Sequence, residues 1–134
     1  MKQLLFTGLC TALVTPFRDG RVNEEMLEKL IERQIAAGVK AIVLAGTTGE
    51  SPTLSVDEKL LLFDRGVRTA AGRCRIIAGT GSNSSREAIE MTKAAKEAGA
   101  DAVKLQTYTA DTITLDCDDP CFQINEGTIW DGMT

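Results

Sequence analysis

Residues 45–54, AGTTGESPTL, place two glycines around adjacent threonines. Glycine lets backbone amides approach a ligand closely, and paired threonine hydroxyls can hold a small carboxylate or relay a proton. Gly46, Thr47, Thr48 and Gly49 are therefore candidates for an anion-binding and proton-handling loop. The same residues also fit a glycine-rich turn in which Thr and Ser satisfy backbone groups. A second candidate is Lys104, which interrupts an apolar run in EAGADAVKLQTYTADTITL, residues 97–115. Such a lysine can be a Schiff-base nucleophile, a substrate clamp or a solvated edge residue. The first role requires a pKa lowered by burial or by a cationic neighbour.

Repeating strand–loop–helix units must position these residues. Apolar runs at 9–14, 39–45, 74–78 and 102–107 read as four strands. The run at 39–45 is continuous rather than alternating, as in a parallel strand covered on both faces. Between the runs lie three amphipathic helices, opened by Asn23, by Ser55 with Glu58, and by Ser84 with Glu87. Asn23 is an N-cap, and each Ser–Glu pair has capping-box spacing. Gly38, Gly72 and Gly99 supply left-handed stops. Strand starts recur about every 30 residues, the size of one βα unit, which predicts a parallel α/β sheet. The candidate loop then follows strand two, at the carboxyl end of the sheet where such folds place their sites. On strand four, alternation puts Lys104 and Gln106 on one face and Val103 and Leu105 on the other, under the helices.

Composition narrows the classes. The chain has 134 residues, 43% hydrophobic and 25% charged, with net charge −4 and no histidine. That describes a soluble domain with a real core and no basic field for nucleic acid or an anionic membrane. The N-terminal MKQLLFTGLCTALVTPF is read as a buried strand rather than a signal peptide, and no run has the length of a membrane span, so the expected location is cytoplasmic. Cys10 and Cys74 sit in strand-like runs, whereas Cys117 and Cys121 are four apart in an acidic loop. With no histidine, a zinc site would need all four cysteines to converge, so no metal site is expected and the thiols read as reduced; no cofactor is expected either. Residues 108–134 lose the helical periodicity and are treated as a separate, loop-rich tail, with a short strand or hairpin considered at 113–115 and 122–124.

Three motifs, FTGLCTALVTPFRDG, AGTTGESPTLS and RIIAGTGSNS, resemble in order and spacing the N-terminal part of the dihydrodipicolinate synthase family over about residues 5–103. The GTTGES form is closer to that family than to N-acetylneuraminate lyase. The resemblance implies a (β/α)₈ barrel and pyruvate-dependent class I aldolase chemistry in lysine biosynthesis, with pyruvate or another small 2-oxo acid as partner. It implies that Thr48, with the neighbouring amides of Gly46 and Gly49, holds the pyruvate carboxylate, and that Thr47 belongs to a hydroxyl relay. A barrel needs about 250 residues. The expectation is therefore a first half of about four strands and three helices over 1–107, inactive alone, with an open edge that a homo-oligomer would cover. The family's TPYYN segment and Schiff-base lysine have no counterpart here, and Tyr108 lies out of register with the family tyrosine.

From about Gly99 to Trp130, KLQTYTADTITLDCD and the following WDG resemble instead the sialic acid synthase family, which condenses phosphoenolpyruvate with an N-acetylated sugar. That resemblance implies substrate-pocket roles for Lys104 and Gln106. The chain thus reads as a junction of two barrel families across AAKEAGADAV. Alternative readings are a sialic acid synthase-like fragment and a non-catalytic half-barrel assembly module.

Overall fold

The structure, a computed structural model, describes residues 4–109 together with Thr112. Cys117, Cys121 and the segments considered at 113–115 and 122–124 lie outside the described residues. Four parallel strands, β1 (Cys10–Ala12), β4 (Ala41–Leu44), β5 (Arg75–Gly79) and β6 (Ala102–Lys104), form one sheet in the order β1-β4-β5-β6. Between the long strands lie α1 (Glu24–Ala36), α2 (Val56–Ala70) and α3 (Ser85–Glu97). The fold is the first half of a (β/α)₈ barrel, with the four strands and three helices that the sequence predicts.

Two elements went unforeseen. Residues within TPFRDGRV form a hairpin, β2 (Phe17–Arg18) with β3 (Arg21–Val22), turning on Asp19 and Gly20 at φ 52° and 73°. Asp-Gly with two positive φ values matches the twist of a two-residue hairpin, so the signal was present in the sequence. The second is a 3₁₀ turn at Ser51–Thr53, entered through Glu50 at φ 58° with Pro52 in its first turn.

The helix starts follow local chemistry. Asn23 accepts the Met26 N–H through its side chain, and Ser55 and Glu58 form a reciprocal capping box. The expected box at Ser84 forms only in half. Ser84 caps the Glu87 N–H, but its own N–H donates to the Ser82 hydroxyl oxygen at 3.1 Å, and the Glu87 carboxylate turns elsewhere.

The strands are shorter than their apolar runs. The N-terminal strand is not buried as expected: Leu9 and Val14 are exposed and Cys10 is half-buried. The reason is position, since β1 pairs only with β4 among the described residues. Register assigns the faces. Thr11, Ile42 and Ile76 form one row, and Leu44, Ala78 and Val103 another; Gly66 of α2 packs against Leu44 and Ile76, so both rows face the helices. Ala12, Val43, Ile77 and Ala102 line the opposite, lumen face, as do Gly79 and Lys104. The core is the helix side, with Leu27, Ile31, Ile42, Leu62, Phe63 and Ile76 at 0–1% exposure. Among the described residues, no helix is long and apolar enough to cross a membrane.

Candidate functional site

At the carboxyl ends of β4, β5 and β6 lies a cavity of about 500 Å³. Gly46 and Thr47 rim it from the β4 loop, Ser82 and Asn83 from the β5 loop, and Lys104 and Gln106 from β6. Residues widely separated in sequence therefore meet where an α/β barrel places its chemistry.

The β4 loop is held in a fixed shape. Ala45 leaves the strand at φ 50°, and the Gly46 carbonyl accepts the N–H groups of Gly49 at 3.0 Å and Ser51 at 3.3 Å. The Thr47 carbonyl accepts the Glu50 N–H at 3.0 Å, and buried Thr15 donates its hydroxyl to the Gly49 carbonyl at 2.7 Å. None of the described loop bonds uses the N–H of Gly46, Thr47 or Thr48. Successive backbone amides left free in this way are donors that an anion can take.

Two of the expected site residues fall elsewhere. Gly49 is buried, its N–H donates to Gly46, and a Cβ there would lie 3.1 Å from the Leu13 carbonyl oxygen. It shapes the turn. Thr48 is exposed and is not among the residues that line the cavity. Gly46 and Thr47 do line it, as do Lys104 and Gln106.

Lys104 reaches the site because β6 is clamped to β5. Asp101 accepts the Ile76 N–H at 2.8 Å and binds the Arg75 guanidinium at 2.8 Å, and the Lys104 carbonyl accepts the Thr80 N–H. The Lys104 side chain is exposed, as expected of a solvated lumen residue. Gln106 donates to the Tyr108 hydroxyl at 3.2 Å.

Sequence reasoning missed Lys59 and Glu87. Lys59 is only 7% exposed, lines the cavity, and lies 3.4 Å from the Glu87 carboxylate, which also accepts the Ser82 hydroxyl at 2.8 Å. The signal was its spacing: Lys59 stands three and four residues before the buried Leu62 and Phe63, on the inward stripe of α2. With Lys59 and Lys104 against Glu87, the cavity favours a small anion.

The Ser82 hydroxyl, then the Lys59 ammonium, hold the Glu87 carboxyl below the usual carboxylate range. Its contribution to stability is full above the unfolded value of about 4.3 and is lost as pH falls through the lower folded value. Melting curves of the protein and of Glu87→Gln from pH 7 to pH 3 are expected to differ most near neutrality and to converge at the acid end. A difference that grows on acidification contradicts this assignment. Desolvation raises the thiol pKa of both Cys10 and Cys74, which are free, so neither is an activated nucleophile. Among the described residues, no cluster of His, Cys, Asp or Glu has the geometry to hold a metal ion.

Comparison with known proteins agrees with this geometry. A sequence model described as the dihydrodipicolinate synthetase family matches residues 5–108, and one described as the NeuB family matches residues 91–133. The 4-hydroxy-tetrahydrodipicolinate synthase of Nitratidesulfovibrio vulgaris is 54% identical over 102 residues, covering 76% of this chain and 35% of the relative. That of Bacillus subtilis is 48% identical over 103 residues, covering 76% and 36%. The crystal structure of dihydrodipicolinate synthase from Aquifex aeolicus superposes with a TM-score of 0.73 at 47% identity, over 75% of this chain and 34% of that one. The chloride-inhibited enzyme from Acinetobacter baumannii, complexed with pyruvate, gives 0.71 at 52% identity, over 73% and 34%. The chain spans about a third of the length of these relatives. By the reach of the family match and the identity to its relatives, the chain belongs to the dihydrodipicolinate synthetase family.

Proposed function

We propose that the chain binds the carboxylate of pyruvate, or of another small 2-oxo acid, on the amides of Gly46, Thr47 and Thr48. The Thr47 hydroxyl stands beside the bound acid as a proton relay, and Lys104 and Gln106 are polar contacts across the cavity. The observation that carries this reading is that none of the described loop bonds uses the N–H of Gly46, Thr47 or Thr48, in a loop where the first two of these residues line the cavity. The family's reaction, condensation of pyruvate with aspartate semialdehyde through a lysine Schiff base, needs a neutral amine beside the bound acid. Of the two lysines on the cavity, Lys59 is buried in an ion pair with Glu87, and Lys104 is exposed to water. The chain on its own therefore binds the acid without condensing it.

Titrating ¹⁵N-labelled protein with pyruvate tests this reading. Millimolar pyruvate, an affinity of roughly 4 kcal/mol, is expected to shift the amides of Gly46, Thr47 and Thr48. Thr47→Val should retain those shifts, because its backbone N–H survives. Shifts confined to other loops, or none, contradict the reading.

A second reading has one specific support. The NeuB match begins at residue 91, inside α3, overlaps the first match to residue 108, and includes both Lys104 and Gln106. On this reading residues 1–107 form a pyruvate-aldolase-like partial barrel, and 108–134 derive from a sialic acid synthase-like enzyme. The junction then falls in the α3–β6 unit.

A further inference from the structure

We propose that Thr15 is a positioning residue for the acid-binding loop, acting on the Thr48 N–H through two successive peptide groups. The proposal rests on the acid-binding reading for its consequence, and on the loop's own hydrogen bonds for its mechanism. Thr15 lies between β1 and β2, is 6% exposed and does not line the cavity. Its hydroxyl nevertheless reaches 34 residues along the chain to donate to the Gly49 carbonyl at 2.7 Å. Gly49 is buried, and among the described residues no backbone N–H donates to its carbonyl. A buried carbonyl without a partner is costly, so the Thr15 hydroxyl supplies a donor that the loop lacks.

That bond is the first of a directed chain. The Gly49 carbonyl and the Glu50 N–H belong to one peptide group, and this N–H donates to the Thr47 carbonyl at 3.0 Å. The Thr47 carbonyl in turn shares its peptide group with the Thr48 N–H. Both peptides are trans, so the carbonyl and N–H of each point in opposite directions. The Thr48 N–H is therefore aimed away from Glu50 and out of the turn. Every bond from the Thr15 hydroxyl to that N–H runs in the same sense. Each then polarises the next, and the last donor presents a stronger partial positive charge to an anion. The Thr47 N–H is oriented by the same rule, because the Gly46 carbonyl accepts the Gly49 and Ser51 N–H groups. Its bonds do not pass through Thr15.

Thr15 is itself held on both sides. Two residues before it, the Leu13 N–H donates to the Val43 carbonyl at 3.0 Å. One residue after it, the Pro16 carbonyl accepts the N–H of Asn23, the N-cap of α1, at 2.8 Å. What this strut holds is strained. Glu50 adopts φ 58°, a left-handed conformation that a non-glycine residue keeps only where its surroundings over-determine it. The peptide bonded by Thr15 is the one immediately before Glu50, so the bond bears directly on that dihedral. The Leu13 carbonyl oxygen, 3.1 Å from where a Gly49 Cβ would stand, packs closely against the same turn.

Amide spectra of Thr15→Val and Thr15→Ser, alone and titrated with pyruvate, test the proposal. Valine keeps the shape and removes the donor, whereas serine keeps the hydroxyl. In ligand-free Thr15→Val the amide protons of Glu50 and Thr48 are expected to move upfield, with that of Thr47 nearly unchanged. Pyruvate affinity should fall about fivefold in Thr15→Val, the net contribution of one hydrogen bond, and by less than about twofold in Thr15→Ser. If Thr15→Val does not fold, the wild type carries the test. Saturating pyruvate should then move the Glu50 amide proton downfield, because polarisation along the chain of bonds is mutual. An unshifted Glu50 proton in the pyruvate-bound wild type, equal losses in the two variants, or wild-type affinity in Thr15→Val overturns the proposal. Wild-type protein whose Gly46, Thr47 and Thr48 amides ignore pyruvate overturns the acid-binding reading instead. The ligand-free spectra decide the chain of bonds even then, since unchanged Glu50 and Thr48 amides in Thr15→Val overturn it.

Discussion

Gly79→Ala is expected to destabilise the protein by about 3 kcal/mol and to displace the ligand loop. A Cβ at Gly79 would stand 2.2 Å from the Ala45 carbonyl oxygen, 2.7 Å from its carbon and 2.9 Å from the Gly46 nitrogen. All three are backbone atoms of a peptide already committed to a left-handed Ala45, so no side-chain rotation relieves the contact. The end of β5 must separate from the end of β4, which moves the amides at the cavity rim. Gly66→Ala is the informative control. Its Cβ would also meet an atom at 2.2 Å, but that atom is the Leu44 Cδ1, the far end of a side chain. Alanine's helix propensity offsets up to about 1 kcal/mol of that repacking. Thermal melts should therefore show a fall of roughly 10 °C for Gly79→Ala and a much smaller one for Gly66→Ala. Equal falls would mean that the close approach of β5 to the loop is not what Gly79 provides.

Phe63→Ala should cost more still, about 3–5 kcal/mol. Phe63 is fully buried on α2, the helix that packs against α1, α3, β4 and β5. Its removal leaves a cavity at the meeting point of those elements, out of a total stability of about 5–15 kcal/mol for a domain. Val56→Ala, on the exposed face of the same helix, should change stability by no more than about 0.5 kcal/mol. Urea midpoints of the two variants check the contrast, and comparable losses would contradict the assignment of the helix-side core.

The repeating unit was legible because three independent signals coincide within each segment. In the second unit, the apolar run ending at Ala45, the capping pair of Ser55 with Glu58, and the left-handed Gly72 all mark the same boundaries. The lumen side of Lys104 was legible for a similar reason, since alternation along β6 fixes the face once Val103 is assigned to the helices. Edge position was not legible. Leu9 and Val14 look like core residues by type, but their burial depends on which strand lies beside β1, and pairing is not local information. The turn-forming part that Gly49 plays was not legible on similar grounds. Its place in GTTGES gives no sign of the approach of Leu13 and Thr15, which follow β1 and meet its Cβ position and its carbonyl. Lys59 was missed because a lysine beside leucines reads as the solvated edge of a helix. Its burial arises from α3, whose Glu87 meets it 28 residues further along the chain.

The central claim is that this chain holds a 2-oxo acid on backbone amides without forming a covalent bond to it. Incubation with pyruvate and borohydride, followed by intact-mass and peptide mass spectrometry, tests that claim most directly. The account predicts unmodified protein, because Lys59 is buried in an ion pair with Glu87 and Lys104 is exposed to water. A reduced pyruvate adduct on either Lys59 or Lys104 would contradict it.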